Sequence, residues 1–361
     1  MSGSGGASGG GLRGGRYTRA VRLAEDQLGF AREALSGVRV CVTGGAGFIG
    51  GHLVDALLAV GASVRVIDDL SNADGERLGE MMNSGEYGDR LGFVYGSVLD
   101  RAALAEAVEG ASVVFHLAAV GSVPLSLEDP ERSFAVNATG TVRVLEAARS
   151  AGAGRVVLSS SSAVYGEADG SPLREDAALR ALSPYGASKA SAEQSVRAWA
   201  RSLGVDGVSL RYFNVFGARQ RADSAYAAVV PAFMRAVREG RRPVIFGDGS
   251  ASRDFLAVEN AVYANLLAGC AGDGLGGEAL NIGCGGSTTV LELARLIARL
   301  GGREDLEPEF APARAGDIER SVADIGRAGE VLGYEPVVGL EAGLSATATY
   351  FGLDGEPAGR R

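Results

Sequence analysis

The run Val40-Cys41-Val42-Thr43-Gly44-Gly45-Ala46-Gly47-Phe48-Ile49-Gly50 restricts what this chain can fold into more than any other segment. An apolar β pattern ends in glycines three apart, and a helical pattern follows at once. This is the layout of a dinucleotide pyrophosphate site. Gly44 permits a tight turn, Gly47 lets the backbone approach phosphate, and Gly50 packs helix against strand, while Phe48 and Ile49 present N–H donors at the helix N-terminus. Glycine makes up 55 of 361 residues, so the spacing alone is weak. A second β-branched run, Ser63-Val64-Arg65-Val66-Ile67-Asp68, strengthens it, because it ends in a carboxylate eighteen residues beyond Gly50. An Asp at that point accepts hydrogen bonds from an adenosine ribose and repels a 2′-phosphate, so the cofactor expected is NAD.

The net charge of −9 and a pI near 5.0 argue against a nucleic-acid partner, which requires a basic face. Cys41, Cys270 and Cys284 form no CxxC pair and read as small core residues in a reducing compartment. His52 and His116 are too few for a His-rich metal site, so no metal is expected. No apolar run reaches membrane-spanning length and no signal-peptide pattern opens the chain; a soluble cytoplasmic protein is expected.

Residues 1–15 are nearly all Gly, Ser and Ala and are read as flexible. Val21, Leu23, Leu28, Phe30 and Leu35 then fit an amphipathic helix over 17–35. Strands are predicted at 38–43, 63–67, 91–95, 112–117, 155–160 and 207–212, separated by helices at 48–60, 101–109, 131–151 and 184–203. This alternation predicts a doubly wound parallel α/β sheet of the Rossmann type. Past Arg211 the rhythm breaks, and a smaller mixed α/β substrate domain is expected. The division expected is a flexible N-terminus with its helix at 1–36, an NAD-binding domain at 37–213 with 252–284 returning to it, and a substrate-binding domain at 214–251 and 285–352.

Ser183-Pro184-Tyr185-Gly186-Ala187-Ser188-Lys189 opens a helix and sets Tyr185 and Lys189 four apart on one face. The lysine charge, helped by an oxidised nicotinamide, would lower the phenol pKa and make Tyr185 a general base. YxxxK alone is more often a surface pair than a catalytic one. The run Ser159-Ser160-Ser161-Ser162-Ala163-Val164-Tyr165-Gly166 adds hydroxyls at the carboxyl end of a predicted strand, where open α/β sheets bind ligands. A serine-rich turn that only caps backbone groups would look the same.

TGxxGxxG, Asp68, His116-Leu117-Ala118-Ala119, Asn137, the serine run, Tyr185/Lys189, Arg211-Tyr212-Phe213-Asn214-Val215-Phe216-Gly217 and Arg253-Asp254 occur in the order of the extended short-chain dehydrogenase/reductases. The resemblance spans about residues 17–345 and is strongest to the nucleotide-sugar 4-epimerases. Gly121-Ser122-Val123-Pro124 and the segment 225–231 resemble the bacterial UDP-N-acetylglucosamine 4-epimerases. The resemblance implies Ser161, Tyr185 and Lys189 as catalytic residues. It implies a cofactor site of Gly44, Gly47, Phe48, Ile49, Gly50, Asp68, Leu117, Ala118, Ala119, Asn137 and Tyr212, with Tyr185 and Lys189 shared. For a UDP-sugar it implies Ser122, Ser162, Asn214, Ala228, Val229, Phe246, Arg253, Arg314, Asp317 and Ser321.

The chemistry implied is oxidation at the sugar C4, turning of the 4-keto sugar about its phosphate linkage, and hydride return to the other face, with NAD retained. Family dehydratases and glucuronate decarboxylases carry acidic residues where this chain has Ser162-Ala163, which favours epimerisation. Ser321 stands where epimerases restricted to non-acetylated sugars are bulky, which points to UDP-GlcNAc/UDP-GalNAc. Ser97 departs from the family Asp that faces adenine, and Leu125 departs from a basic residue of the N-acetyl-specific group. UDP-glucose or UDP-glucuronate epimerisation, UDP-glucuronate decarboxylation and a silent NAD-binding regulator are the competing readings. A homodimer through helices near 101–120 and 184–203 is also implied.

Overall fold

The β-branched runs pair into one seven-stranded parallel sheet in a computed structural model that describes residues 23–167, 170–222, 228–272, 274–313 and 318–353. Its strands are β1 (Arg39–Thr43), β2 (Ser63–Asp68), β3 (Leu91–Tyr95), β4 (Val113–His116), β5 (Arg155–Ser161), β6 (Asp206–Tyr212) and β7 (Glu278–Ile282), in the order β7-β6-β5-β4-β1-β2-β3. Continuous apolar strands such as Val40-Cys41-Val42 suit a sheet covered on both faces.

Parallel neighbours require crossover connections, and ten helices of eight or more residues accompany the strands among the described residues. They are α1 (Glu25–Leu35), α2 (Phe48–Ala59), α3 (Glu76–Asn83), α4 (Arg101–Val108), α5 (Gly140–Ala151), α6 (Pro184–Ser202), α7 (Val229–Arg238), α8 (Val258–Cys270), α9 (Val290–Leu300) and α10 (Leu340–Phe351). One core joins Leu28 and Leu35 of α1, Leu53 and Leu57 of α2, and Val262 and Leu266 of α8. Another joins Leu104 of α4, Leu145 of α5 and Val196 of α6 on a different set of side chains. A third core, with Phe233, Leu293, Ile297 and Leu344, holds α7, α9 and α10 together around short strand pairs.

Three local readings change. The helix expected over 17–35 is described only as Glu25–Leu35, its start lying outside the described residues. The stretch 131–151 is interrupted: Pro130–Phe134 passes through a wide π turn at Ala135–Thr139 before α5 begins. The segment 101–120, expected to present helix to a partner, is helical only over Arg101–Val108, and Val113–His116 is a buried inner strand. No helix of the described residues is long and apolar enough to cross a membrane.

Candidate active site

The strand order reverses between β1 and β4, and the carboxyl ends of β1, β2, β4, β5 and β6 carry the chemistry-bearing residues around that switch point. After β1, Gly44 turns with φ +71°, and a Cβ there would lie 2.6 Å from Ala118 N. A Cβ on Gly50 would lie 2.1 Å from Gly44 O, so α2 is packed directly on the turn. Gly47 caps α2 without a side chain, and the Phe48 and Ile49 N–H groups fall in the first turn, where a helix supplies no acceptor. Asp68 ends β2 and ties this loop down: its Oδ2 accepts from Ala46 N at 3.0 Å and its Oδ1 from Leu70 N at 2.9 Å. Burial raises its carboxyl pKa and the backbone N–H donors oppose the rise. A cradle of N–H donors with lone pairs of Asp68 to spare fits a dinucleotide.

Leu117, Ala118 and Ala119 leave β4 beside that cradle. Leu117 N donates to Thr43 O at 3.1 Å and Ala118 N to Thr43 Oγ1 at 3.1 Å. His116 is wholly enclosed, 2.7 Å from Thr43 Oγ1 at Nδ1 and 3.0 Å from Thr141 Oγ1 at Nε2. The Thr141 hydroxyl donates to Asn137 O at 2.6 Å and must therefore accept from His116, which puts the ring proton on Nε2. Burial, with Lys189 adding to it, pushes the imidazole down to about 3, so the ring is neutral. Asn137, expected at the cofactor, spends its side chain within the protein. Its Oδ1 accepts from Val120 N, and its Nδ2 donates to Val120 O and to Ser188 Oγ on α6.

The serine run ends β5, and Ser183 caps α6 through Gly186 N. The Lys189 ammonium donates to Ser159 O at 2.8 Å, and burial lowers its pKa to about 8 against the opposing pull of Glu193. Tyr185 is partly buried, and its phenol is hydrogen-bonded to Ser161. Desolvation raises its pKa, and the bond with Ser161 opposes the rise. Ser161 also accepts from Ala163 N at 3.2 Å, and Ser162 opens the short turn that follows. Tyr212, opposite Ser161 in the sheet, turns its hydroxyl into the core toward Ser159 and Asn265, so its side chain does not face the cofactor edge.

Beyond β6, Asn214 N and Nδ2 both donate to Asp254 O. The Asp254 carboxylate accepts from Cys284 N, Gly285 N and Ala323 N, and its own N–H donates to Ser321 O. Asp254 thus ties Asn214, the Cys284-Gly285 turn and the short strand Arg320–Ser321 together, a role that the sequence signals only by the Asp following Arg253. Arg253 and Ser321 are register partners, and Ser321 is buried. Ala228 and Val229 form the N-terminus of α7, while Phe246 ends a short strand with its ring partly exposed. Ser122 caps the helix Val123–Glu128. Arg314 and Asp317 lie outside the described residues. Glu193, missed in the sequence, sits one turn beyond Lys189 and is buried.

A parallel sheet of this order, a glycine cradle backed by Asp68, and a hydrogen-bonded Ser161–Tyr185 pair one helical turn from Lys189 define an extended short-chain dehydrogenase/reductase enzyme. The family model described as the NAD dependent epimerase/dehydratase family matches residues 40–283, and the chain belongs to that family. It is 42% identical over 316 residues to the UDP-glucose 4-epimerase of Mycolicibacterium smegmatis, covering 87% of this chain and 98% of the relative. Among solved structures, the UDP-N-acetylglucosamine 4-epimerase of Methanobrevibacter ruminantium in complex with UDP-N-acetylmuramic acid is 37% identical. Its TM-score is 0.81, over 88% of this chain and 99% of that one. The Thermotoga maritima UDP-glucose 4-epimerase with UDP-glucose is also 37% identical, with TM-score 0.78 over 87% and 98%.

Proposed function

We propose that this chain interconverts the C4 epimers of a UDP-sugar and that its preferred pair carries a 2-acetamido group, UDP-GlcNAc and UDP-GalNAc. The observation that carries the reaction is the Tyr185 phenol bonded to Ser161, with Lys189 a helical turn away and no carboxyl at Ser162 or Ala163. When bound, NAD+ would accept hydride from the sugar C4 and return it to either face. Tyr185 takes and restores the 4-hydroxyl proton, Ser161 hydrogen-bonds the same oxygen, and Lys189 supplies positive charge and a donor to the nicotinamide ribose. Gly44, Gly47, Phe48, Ile49 and Gly50 hold the pyrophosphate of NAD, and Asp68 holds its ribose.

For the substrate, the α7 N-terminus at Ala228-Val229, Asn214, Phe246, Arg253, Arg314 and Asp317 hold UDP, with Ser122 and Ser162 toward the sugar. An arginine suits a diphosphate because its fork spans two oxygens. The small, buried Ser321 in register with Arg253 supports room for an N-acetyl group. UDP-glucose is the second reading, favoured by the Mycolicibacterium relative. A homodimer using α6 belongs to the same reading, and light scattering at twice 36.8 kDa would support it.

The test is separate incubation with UDP-GlcNAc, UDP-glucose and UDP-glucuronate, with products resolved by anion exchange and mass. A new peak of unchanged mass from UDP-GlcNAc is expected. Activity confined to UDP-glucose or UDP-glucuronate, or loss of carbon dioxide from the latter, overturns the sugar assignment. Tyr185→Phe should abolish interconversion while UDP binding survives, and unchanged turnover in that variant removes the mechanism.

A further inference from the structure

The last three residues of β5 divide the active-site geometry among them. The Ser159 carbonyl holds Lys189, the Ser161 hydroxyl meets Tyr185, and the Ser160 hydroxyl between them donates to Glu193 Oε1 at 2.5 Å. Glu193 lies on α6, four residues after Lys189 and eight after Tyr185. Its carboxylate also receives Arg211 Nε at 3.0 Å and Arg211 Nη2 at 2.8 Å from β6. Arg211 in turn donates to Tyr165 OH at 2.8 Å and to Glu175 O at 3.2 Å, with its guanidinium 4.8 Å from the Tyr165 ring centroid. Tyr165 OH donates to Asn281 Oδ1 of β7 at 2.6 Å. The side chains of Glu193 and Arg211 are 3% and 5% exposed, so both charges are withdrawn from water.

A buried ion pair contributes little stability over an apolar pair of equal volume, because desolvation offsets attraction. What this pair does contribute is direction. We propose that Glu193 is a positioning residue that locks the helix bearing Tyr185 and Lys189 to the strand end bearing Ser161, and sets a fixed negative charge one turn from Lys189. Lys189 interacts with Glu193 one turn along its own helix and with His116 from β4, while Arg211 of β6 is engaged by Glu193. Burial favours the neutral amine, His116 is uncharged, and Glu193 opposes the loss of the proton. Replacing Glu193 by a neutral residue therefore removes the charge that keeps Lys189 an ammonium, and the phenol of Tyr185 becomes harder to ionise.

The inference rests on Tyr185 being the base, and the experiment separates the two. NAD-loaded protein is titrated by ultraviolet difference, and the step missing from Tyr185→Phe is assigned to Tyr185. Glu193→Gln is made alone and together with Arg211→Met, since the double variant leaves no unpaired buried charge. Both should move the Tyr185 step upward by about one pH unit, with an equivalent, roughly tenfold, loss of kcat near neutral pH and an unchanged KM for the UDP-sugar. A double variant that melts with the wild type and keeps its Tyr185 step and kcat overturns the proposal, because a purely structural ion pair would behave so. A wild-type protein with no Tyr185-dependent step removes the base assignment, and this inference with it.

Discussion

Replacing Gly50 by alanine tests whether the helix-on-turn contact is as tight as the geometry indicates. The new Cβ would sit 2.1 Å from Gly44 O and 2.9 Å from both Gly44 C and Gly45 Cα. Ordinary contact begins at 3.4 Å, so the oxygen is about 1.3 Å too close. Every one of these atoms is backbone, and no rotamer change relieves the overlap. Either α2 lifts off the turn or the turn opens, and Gly44 O then loses its bond from Gly47 N, now 3.2 Å. Overpacking typically costs about 1–3 kcal/mol, and a backbone overlap belongs at the upper end. Over a chain of this length a kcal/mol shifts melting by only about 1–1.5 °C, so the melting temperature should fall by about 3–4 °C. Gly47→Ala is the control. Its φ of −72° is open to any residue, and its Cβ meets only Gly44 O at 3.3 Å. Its stability should change by less than about 1 kcal/mol. The added methyl stands at the helix N-terminus, however, so NAD affinity should drop at least about tenfold, or 1.4 kcal/mol. Calorimetry on NAD-stripped protein and titration with NAD read the two effects separately. A Gly50→Ala protein that melts within about 1 °C of the wild type would refute the packing argument. Unchanged NAD binding by Gly47→Ala would remove that glycine from the phosphate site.

Three further outcomes follow from single residues. Ser321→Tyr should abolish turnover of UDP-GlcNAc and leave that of UDP-glucose within about fivefold, a difference of about 1 kcal/mol; equal loss on both sugars would remove Ser321 from the sugar pocket. His116 takes up its proton near 3 when folded and near 6.5 when unfolded, so the unfolded state binds more protons between these values and stability falls as pH drops through that window. By pH 5 the loss is about 2 kcal/mol, and the stability difference between the wild type and His116→Gln in urea melts should shrink by that amount from pH 7 to pH 5; parallel curves would contradict the neutral assignment. Asp254→Ala leaves three backbone N–H groups without their acceptor and should cost about 3 kcal/mol in urea unfolding, with weaker UDP binding; an unchanged midpoint would show that other acceptors replace it.

Short-range chemistry made much of the molecule readable. The six strands expected between 38 and 212 occur within a residue or two of their expected ends, because β-branched runs between turn residues leave little choice of conformation. The glycine turn and the capped start of α6 were legible for the same reason: backbone dihedrals and caps are decided by adjacent residues. The π turn at Ala135–Thr139 was not, since nothing in its local pattern separates it from the helix on either side.

What the sequence could specify alone was the order of elements, the residue types at the carboxyl edge of the sheet and the resemblance they carry. The partnerships among buried polar groups had to wait for the packed structure. Asn137 and Tyr212 carry family motifs, yet their side chains close on Val120, Ser188, Ser159 and Asn265, because a buried polar group bonds whatever the packing brings within reach. Glu193 and Arg211 come from a helix and the strand after it, and only their common burial makes them one ion pair. The same holds for Tyr185, whose hydrogen bond to Ser161 and whose desolvation, which raises its pKa, are set by the whole fold and not by the YxxxK spacing.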